Sequence, residues 1–223
     1  MKTSSRLFLA LLLLAGACDT PVSTRPEAAY NPTALTNGLY YHWPNGSVVT
    51  VWVQQAGLAS SIDLTGAVTR ARAAWNTVPQ YDEYRMLAAA SAADANIIVY
   101  DASTPIPIVP VADCAFDARG AGGYTYFCDA TMAAGAAGNA ARLPLVAGGG
   151  RATVVIRLDR GRATSDAQYD ALVAHEFGHA LGIGAHSDNS ADLMFGNPAV
   201  LTPSARDQAT LRFDLGKVPD LRL

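Results

Sequence analysis

The residues of this chain that could do chemistry lie close together near position 180. His175, Glu176 and His179 form the pattern H-E-x-x-H. Residues four apart on an α-helix point to nearly the same side, so the two histidines can present imidazole nitrogens to one metal ion. Glu176 lies beside them, within reach of a water on that ion. On a helix this pattern is the signature of zinc hydrolases, and it predicts a catalytic zinc site.

A surface helix whose histidines share no role is the alternative interpretation. The chain has only four histidines, so chance placement at this spacing is a weak explanation. A further histidine, His186, follows soon after His179 and can return to the metal once the chain turns. Three protein ligands leave the fourth position open, as a catalytic zinc requires.

The helix that must position these residues has readable ends. Ser165 and Gln168 fit a capping box, in which both side chains satisfy exposed amides of the first turn. Gly182 ends the helix, because glycine readily takes the left-handed conformation. Between these ends, an apolar stripe can bury one helix face against a core. The stripe consists of Leu172, Val173, Phe177, Ala180 and Leu181.

The motif H-E-F-G-H-A-L-G, the further histidine and the later Leu-Met pair resemble the metzincin metallopeptidases, most closely the matrixin (matrix-metalloproteinase-like) branch. The resemblance implies that His175, His179 and His186 bind zinc. It implies that Glu176 is the general base, which takes a proton from a zinc-activated water and passes it to the leaving amine. It also implies that Met194 forms a tight Met-turn beneath the metal.

One spacing departs from the family pattern. The family has G-x-x-H before the third ligand, whereas residues 182–186 contain one extra residue. Small residues in this stretch allow a bulge that absorbs the insertion, and His186 is the preferred ligand. Asp188 or Asp192 is the alternative, because some metzincins use aspartate as the third ligand.

The elements along the chain follow the metzincin order of strand, helix, several strands, zinc helix, Met-turn and helix. This order implies an α+β fold, a metzincin-type zincin in which a twisted mixed, mostly parallel sheet packs on helices, with an active-site helix, a Met-turn and a C-terminal helix. Apolar patterning predicts strands at 47–54, 96–100, 123–128 and 153–158, and helices at 63–78 and from 202 to about 213.

Metzincins bind extended substrate along an edge strand above the zinc helix, through main-chain hydrogen bonds. By resemblance, we assign this strand to five consecutive residues. An ordinary glycine-rich hairpin arm is the equal alternative. The residues are Gly122, Gly123, Tyr124, Thr125 and Tyr126.

The N-terminus reads as an export segment. A basic start and a short apolar run predict a signal peptide over residues 1–17. The small residues just before Cys18 resemble a lipobox, which predicts that Cys18 carries lipid. An ordinary signal-peptidase site is the alternative. Residues 18–37 are rich in Pro, Thr, Ala and Ser, which predicts a flexible tether. Residues 38–223 then form one catalytic domain.

The chain has three cysteines, and an exported protein tends to give each one a role. With Cys18 lipidated, Cys114 and Cys128 remain as a disulfide pair in an oxidising compartment. Two buried free thiols are the alternative.

Structural calcium is common in matrixins, and loop aspartates could serve it, although such aspartates more often form solvated turns. The candidates are Asp113, Asp117, Asp129 and Asp159.

These features predict an exported zinc-dependent endopeptidase of the bacterial cell envelope, monomeric and held to the membrane through Cys18. Its partners would be peptide or protein substrates, and the net charge of −3 gives no sign of nucleic-acid binding. The alternative from another class is a lipid-anchored, non-catalytic binding protein that keeps the zincin fold. A structural lipoprotein without metal would leave the motif unexplained.

Overall fold

The computed structural model describes residues 28–36, 38, 40–105, 121–128, 153–218 and 221–222. Besides two short 3₁₀ helices (Ala92–Asp94 and Arg160–Arg162), the helices and strands in this part of the chain are, in order, β1 (Tyr41–His42), β2 (Ser47–Val53), α1 (Leu64–Trp75), β3 (Tyr84–Ala88), β4 (Ile97–Asp101), β5 (Gly123–Cys128), β6 (Thr153–Leu158), α2 (Asp166–Leu181), α3 (Ala205–Leu215) and β7 (Leu221–Arg222).

Five of the strands form one mixed sheet in the order β3-β2-β4-β6-β5. Neighbours run parallel except β5, which is antiparallel to β6. All five residues of β4 are buried, because this strand is central and both its faces are covered; its sequence is therefore apolar rather than alternating. The predicted α+β fold with a mostly parallel mixed sheet is confirmed. β1 and β7 pair separately, in parallel.

Two predicted helices begin or end slightly differently from the sequence patterns. The helix expected at 63–78 is α1, which starts after Asp63, whose side chain accepts from the Gly66 amide. The helix expected from residue 202 is α3, which starts after Ser204. Ser204 and Asp207 form a capping box there, and this cap fixes the start beyond the proline at 203.

Two tryptophans fix α2, the helix that carries the H-E-x-x-H motif, on the core. The Trp75 indole, from α1, donates to the Ala174 carbonyl at 2.7 Å. The Trp43 indole donates to the Ala180 carbonyl at 2.9 Å. Both side chains are buried, so these hydrogen bonds form where water cannot compete. Together they hold the C-terminal half of α2, which carries the motif.

Several predictions lie outside the described residues. These are the signal peptide at 1–17, lipidation of Cys18, and the calcium candidates Asp113, Asp117 and Asp129. The predicted disulfide lies outside as well, because Cys114 is not described and Cys128 is described only in its backbone. None of the described helices is both long and apolar enough to cross a membrane.

Candidate metal centre

The helix α2 carries the motif, and its ends are close to those predicted. The Ser165 hydroxyl accepts from the Gln168 amide at 3.1 Å, as an N-cap does. The Gln168 side chain, however, accepts from the amide of Thr164, one residue before the cap. Gly182 ends the helix with φ 134°, a conformation that favours glycine.

The two helix histidines are each held through one ring nitrogen. His175 Nδ1 lies 2.8 Å from the Leu193 carbonyl oxygen, and His179 Nδ1 lies 2.6 Å from the Ile183 carbonyl oxygen. A carbonyl only accepts, so both Nδ1 atoms carry the proton. Both Nε2 atoms therefore carry lone pairs, and they face each other at 3.1 Å.

Burial keeps these rings neutral. It lowers the pKa of His175 to about 4, and it lowers the pKa of His179 well below its ordinary value. Two neutral imidazoles that aim lone pairs at each other repel, and a cation between them removes the repulsion. A ring nitrogen held by a carbonyl while the other nitrogen is free is the arrangement found in metal-binding histidines. The residues present therefore fit a metal ion.

His186 joins the two helix histidines, with ring centroids 5.1 Å from His175 and 5.2 Å from His179. Among the described residues, these three form the one group of histidine, cysteine or carboxylate side chains that could share a metal, with ligand atoms within 4.8 Å of one another. Asp188 and Asp192 do not join the group. Both carboxylates are bound by Arg206, at 2.6 and 2.9 Å.

The turn after His186 returns the chain beneath the helix. The Ser187 amide donates to the Met194 carbonyl at 2.7 Å and closes the turn. Met194 is fully buried, and its sulfur packs so closely on Gly178 that a Cβ there would overlap it. The Asp207 carboxylate accepts from the Leu193 amide at 2.8 Å. Because the Leu193 carbonyl holds His175, α3 supports a metal ligand through this turn.

Glu176 is buried beside the histidines. Burial raises its pKa to about 7, and a hydrogen bond from the Thr125 hydroxyl opposes this rise. Thr125 Oγ1 lies 2.7 Å from Glu176 Oε2 and 3.0 Å from the Glu176 carbonyl oxygen. On the other side, a Cβ at Gly123 would lie 2.5 Å from Oε1, so only glycine lets the carboxylate approach β5 this closely.

The histidines and Glu176 line one cavity of about 480 Å³. The cavity is also lined by β5 and the two residues before it, and by Leu35 and Thr36. Among the described strands, β5 is at the edge of the sheet, as the substrate-strand interpretation requires. Gly122–Thr125 of the predicted stretch line the cavity and Tyr126 does not. The Tyr126 ring packs against the Tyr124 ring, 4.6 Å between centroids, in the cluster on the opposite face of the sheet.

Asp159, the one described calcium candidate, caps a short 3₁₀ turn by accepting from the Gly161 amide and pairs with Arg162. Other residues that support the site were not assigned that role from the sequence. Asp207 gave a partial signal, because it lies three residues after a serine before a helix. No local sequence signal pointed to the contact of Thr125 with Glu176, because the two residues are 51 positions apart.

No family model and no curated protein matches the chain. Among solved structures, the chain is similar to that of myroilysin, at 17% identity and a TM-score of 0.41. The similarity covers 79% of this chain and 96% of the myroilysin chain. A likeness this distant carries no functional conclusion, which must come from the geometry of the three histidines and the buried carboxylate.

Proposed function

We propose that this protein is a zinc-dependent endopeptidase. The observation that carries the proposal is the convergence of three imidazoles on one point, with a buried carboxylate in the same cavity. Three histidines with an open fourth position are the ligand set of catalytic zinc, and imidazole nitrogen suits zinc better than calcium or magnesium. His175, His179 and His186 would hold the ion.

A bound zinc ion supplies a Lewis acid that acidifies water and polarises the scissile carbonyl. The protein's own residues supply the proton transfers. Thr125 holds Glu176 Oε2, which leaves Oε1 to accept a proton from the attacking water. As the peptide C–N bond breaks, Oε1 returns that proton to the amine nitrogen.

The cavity favours an extended peptide as substrate. Among the described residues, β5 pairs on one side only, with β6, so its other edge can hydrogen-bond to an added strand. Main-chain pairing would place a peptide between β5 and α2, beside the histidines. Tyr124 is exposed on β5 and can contact substrate side chains.

We also propose a subfamily and a cellular location, and both rest on the sequence. The interval from His186 to Met194 supports the matrixin-like branch of the metzincins. The N-terminal pattern supports export to a bacterial envelope and a lipid anchor at Cys18, with one domain following. If Cys18→Ser leaves the protein in the membrane fraction of the producing cells, the anchor proposal is wrong.

The test compares wild type with Glu176→Gln. Wild type should contain one zinc per chain and cleave casein, and a chelator should abolish cleavage. Glu176→Gln should keep its zinc but lose about 10²–10⁴-fold in kcat, the range that general acid–base catalysis contributes. Zinc content is the control that separates a lost base from a lost metal.

Other outcomes would overturn the proposal. Wild type that binds zinc yet cleaves nothing in a varied peptide library would favour the binding-protein alternative. Wild type that binds no zinc would exclude both the peptidase and the binding-protein alternative. Full activity in Glu176→Gln would remove Glu176 from the mechanism.

A further inference from the structure

Residues 28–36, which the sequence placed in a flexible tether, are docked on the domain; we call them the N-terminal strap. One end lies on α3. The Ala29 amide donates to Thr210 Oγ1 at 3.2 Å, and the Tyr30 hydroxyl donates to Asp207 Oδ1 at 2.8 Å. The Arg206 guanidinium lies over the Tyr30 ring, 5.9 Å from its centroid. A phenol, a cation–π contact and an amide therefore fix this end.

The other end of the strap lies on the loop that carries His186. The Leu35 amide donates to the Gly184 carbonyl at 2.7 Å. A Cβ at Gly184 would overlap Thr36 Cγ2 and lie 3.1 Å from the Pro32 carbonyl oxygen. The strap lies so close to Gly184 that there is no room for a side chain at this position.

Between its two ends the strap has its own internal structure. Asn31 Oδ1 accepts from the Thr33 amide and hydroxyl, at 3.0 and 2.9 Å. Pro32 and Thr33 are buried. The strap is thus ordered by local turns as well as by the surface it covers.

Both docking points act on groups that hold the histidines. Asp207 binds the Leu193 amide, and the Leu193 carbonyl holds His175. Gly184 lies two residues before His186, and it follows Ile183, whose carbonyl holds His179. The strap therefore touches the supports of all three ligands without itself offering a ligand.

We propose that the N-terminal strap is a positioning element for the metal site and that Tyr30 and Thr36 are positioning residues. By fixing the His186 loop and the Met-turn before the metal arrives, the strap removes an ordering cost that metal binding would otherwise bear. Removing outer partners of metal ligands typically weakens metal affinity by 10- to 100-fold. This inference rests on the proposed zinc site.

The first test removes one hydroxyl. In the full-length protein, Tyr30→Phe deletes the bond to Asp207 and keeps the ring under Arg206. Zinc affinity, measured by competition with a chelator of known affinity, should fall by about three- to tenfold. This lies at or below the low end of the range for a direct outer partner, because Tyr30 reaches His175 only through Asp207 and the Leu193 peptide. The matched control is Tyr81→Phe, because Tyr81 is 72% exposed, and its zinc affinity should stay at the wild-type value.

The second test is a size exchange at the other end. Gly184→Ala should weaken zinc binding, because the added methyl displaces Thr36. Thr36→Ser removes the overlapping methyl and keeps the hydroxyl that bonds to the Thr33 carbonyl at 3.2 Å. The double variant Gly184→Ala/Thr36→Ser should therefore recover most of the lost affinity.

A strap that only stabilises the fold would destabilise the zinc-free and zinc-bound proteins equally and leave zinc affinity unchanged. Wild-type affinity in both Tyr30→Phe and Gly184→Ala would therefore overturn the proposal. If Gly184→Ala does not fold, Tyr30→Phe decides alone. Failure of wild type to bind zinc would instead overturn the proposed function.

Discussion

Two of the three imidazoles depend on a carbonyl partner for their orientation, and the third depends on its loop. His175 and His179 are fixed by carbonyl oxygens, and burial keeps them neutral. His186 is exposed, and its place follows from the closed turn that begins at Ser187. The third ligand is thus held by its loop rather than by helix geometry.

The identity of the third ligand can be tested with two substitutions in the same loop. His186→Ala should weaken zinc affinity by about 100-fold or more, beyond the range seen when only an outer partner is lost. Asp188→Asn should change it by less than about threefold, because Asp188 forms only an exposed ion pair with Arg206. Isothermal titration of the zinc-free proteins measures both. The reverse order of effects would make Asp188 the ligand.

At this scale, the sequence predicted the residues that a helix places by itself. His175, Glu176 and His179 follow from 3.6-residue periodicity, which needs no knowledge of the rest of the fold. The choice between His186 and the two aspartates stayed open because it depends on Arg206. That side chain comes from α3 and binds both carboxylates, and no local pattern reveals this contact.

At the scale of elements, the turn that carries Met194 and the helix α1 pack closely against α2. Gly178 lies between the two helix histidines, where Met194 from the turn and Trp75 from α1 fill the space a side chain would need. The glycine lets the Met-turn approach the helix backbone. Met194 therefore supports the metal site by packing rather than by binding.

Gly178→Ala tests this packing. In an ordinary helix interior the change stabilises by up to about 1 kcal/mol. Here we expect a loss of about 1–3 kcal/mol in the free energy of unfolding, because the methyl overpacks a filled core. Urea unfolding of the zinc-free protein gives the value. Combined with Met194→Ala, the loss should be less than additive, since the methyl then has room. A stabilised Gly178→Ala variant would contradict this packing.

The elements with strong local periodicity were predicted, and those defined by their neighbours were not. α1, β2, β4, β5 and β6 were all predicted within a few residues. β3 alternates over only five residues, and only Tyr84 and Met86 face inward, so its pattern is too short to stand out. The strap was predicted to be a flexible tether because it lies in a segment rich in Pro, Thr and Ala. Its order was not predicted because it comes from contacts with Asp207 and Gly184, which are distant in sequence.

At the scale of the whole molecule, one buried carboxylate stands apart from the metal centre. Asp214, near the end of α3, is 0% exposed, and neither oxygen has a hydrogen-bond partner among the described residues. It packs on Gly182 at the end of α2, with Tyr41 and His42 of β1 beside the same glycine. Its environment thus joins three elements that are distant in sequence.

This carboxylate should make the stability of the whole fold depend on pH. Burial raises the pKa of Asp214 to about 8, well above the usual value of about 3.9 in an unfolded chain. The folded state therefore holds a proton that the unfolded state has lost between these values, so stability falls as pH rises from about 4 to 8, by at most about 1.4 kcal/mol per pH unit. The Asp214→Asn side chain cannot ionise, and the variant's free energy of unfolding, measured by urea at several pH values, should fall less steeply with pH than that of wild type.

Asp82→Asn, which changes an exposed carboxylate, is the control and should keep the wild-type slope. Equal slopes in wild type and Asp214→Asn would mean that Asp214 finds a cationic partner in the folded protein.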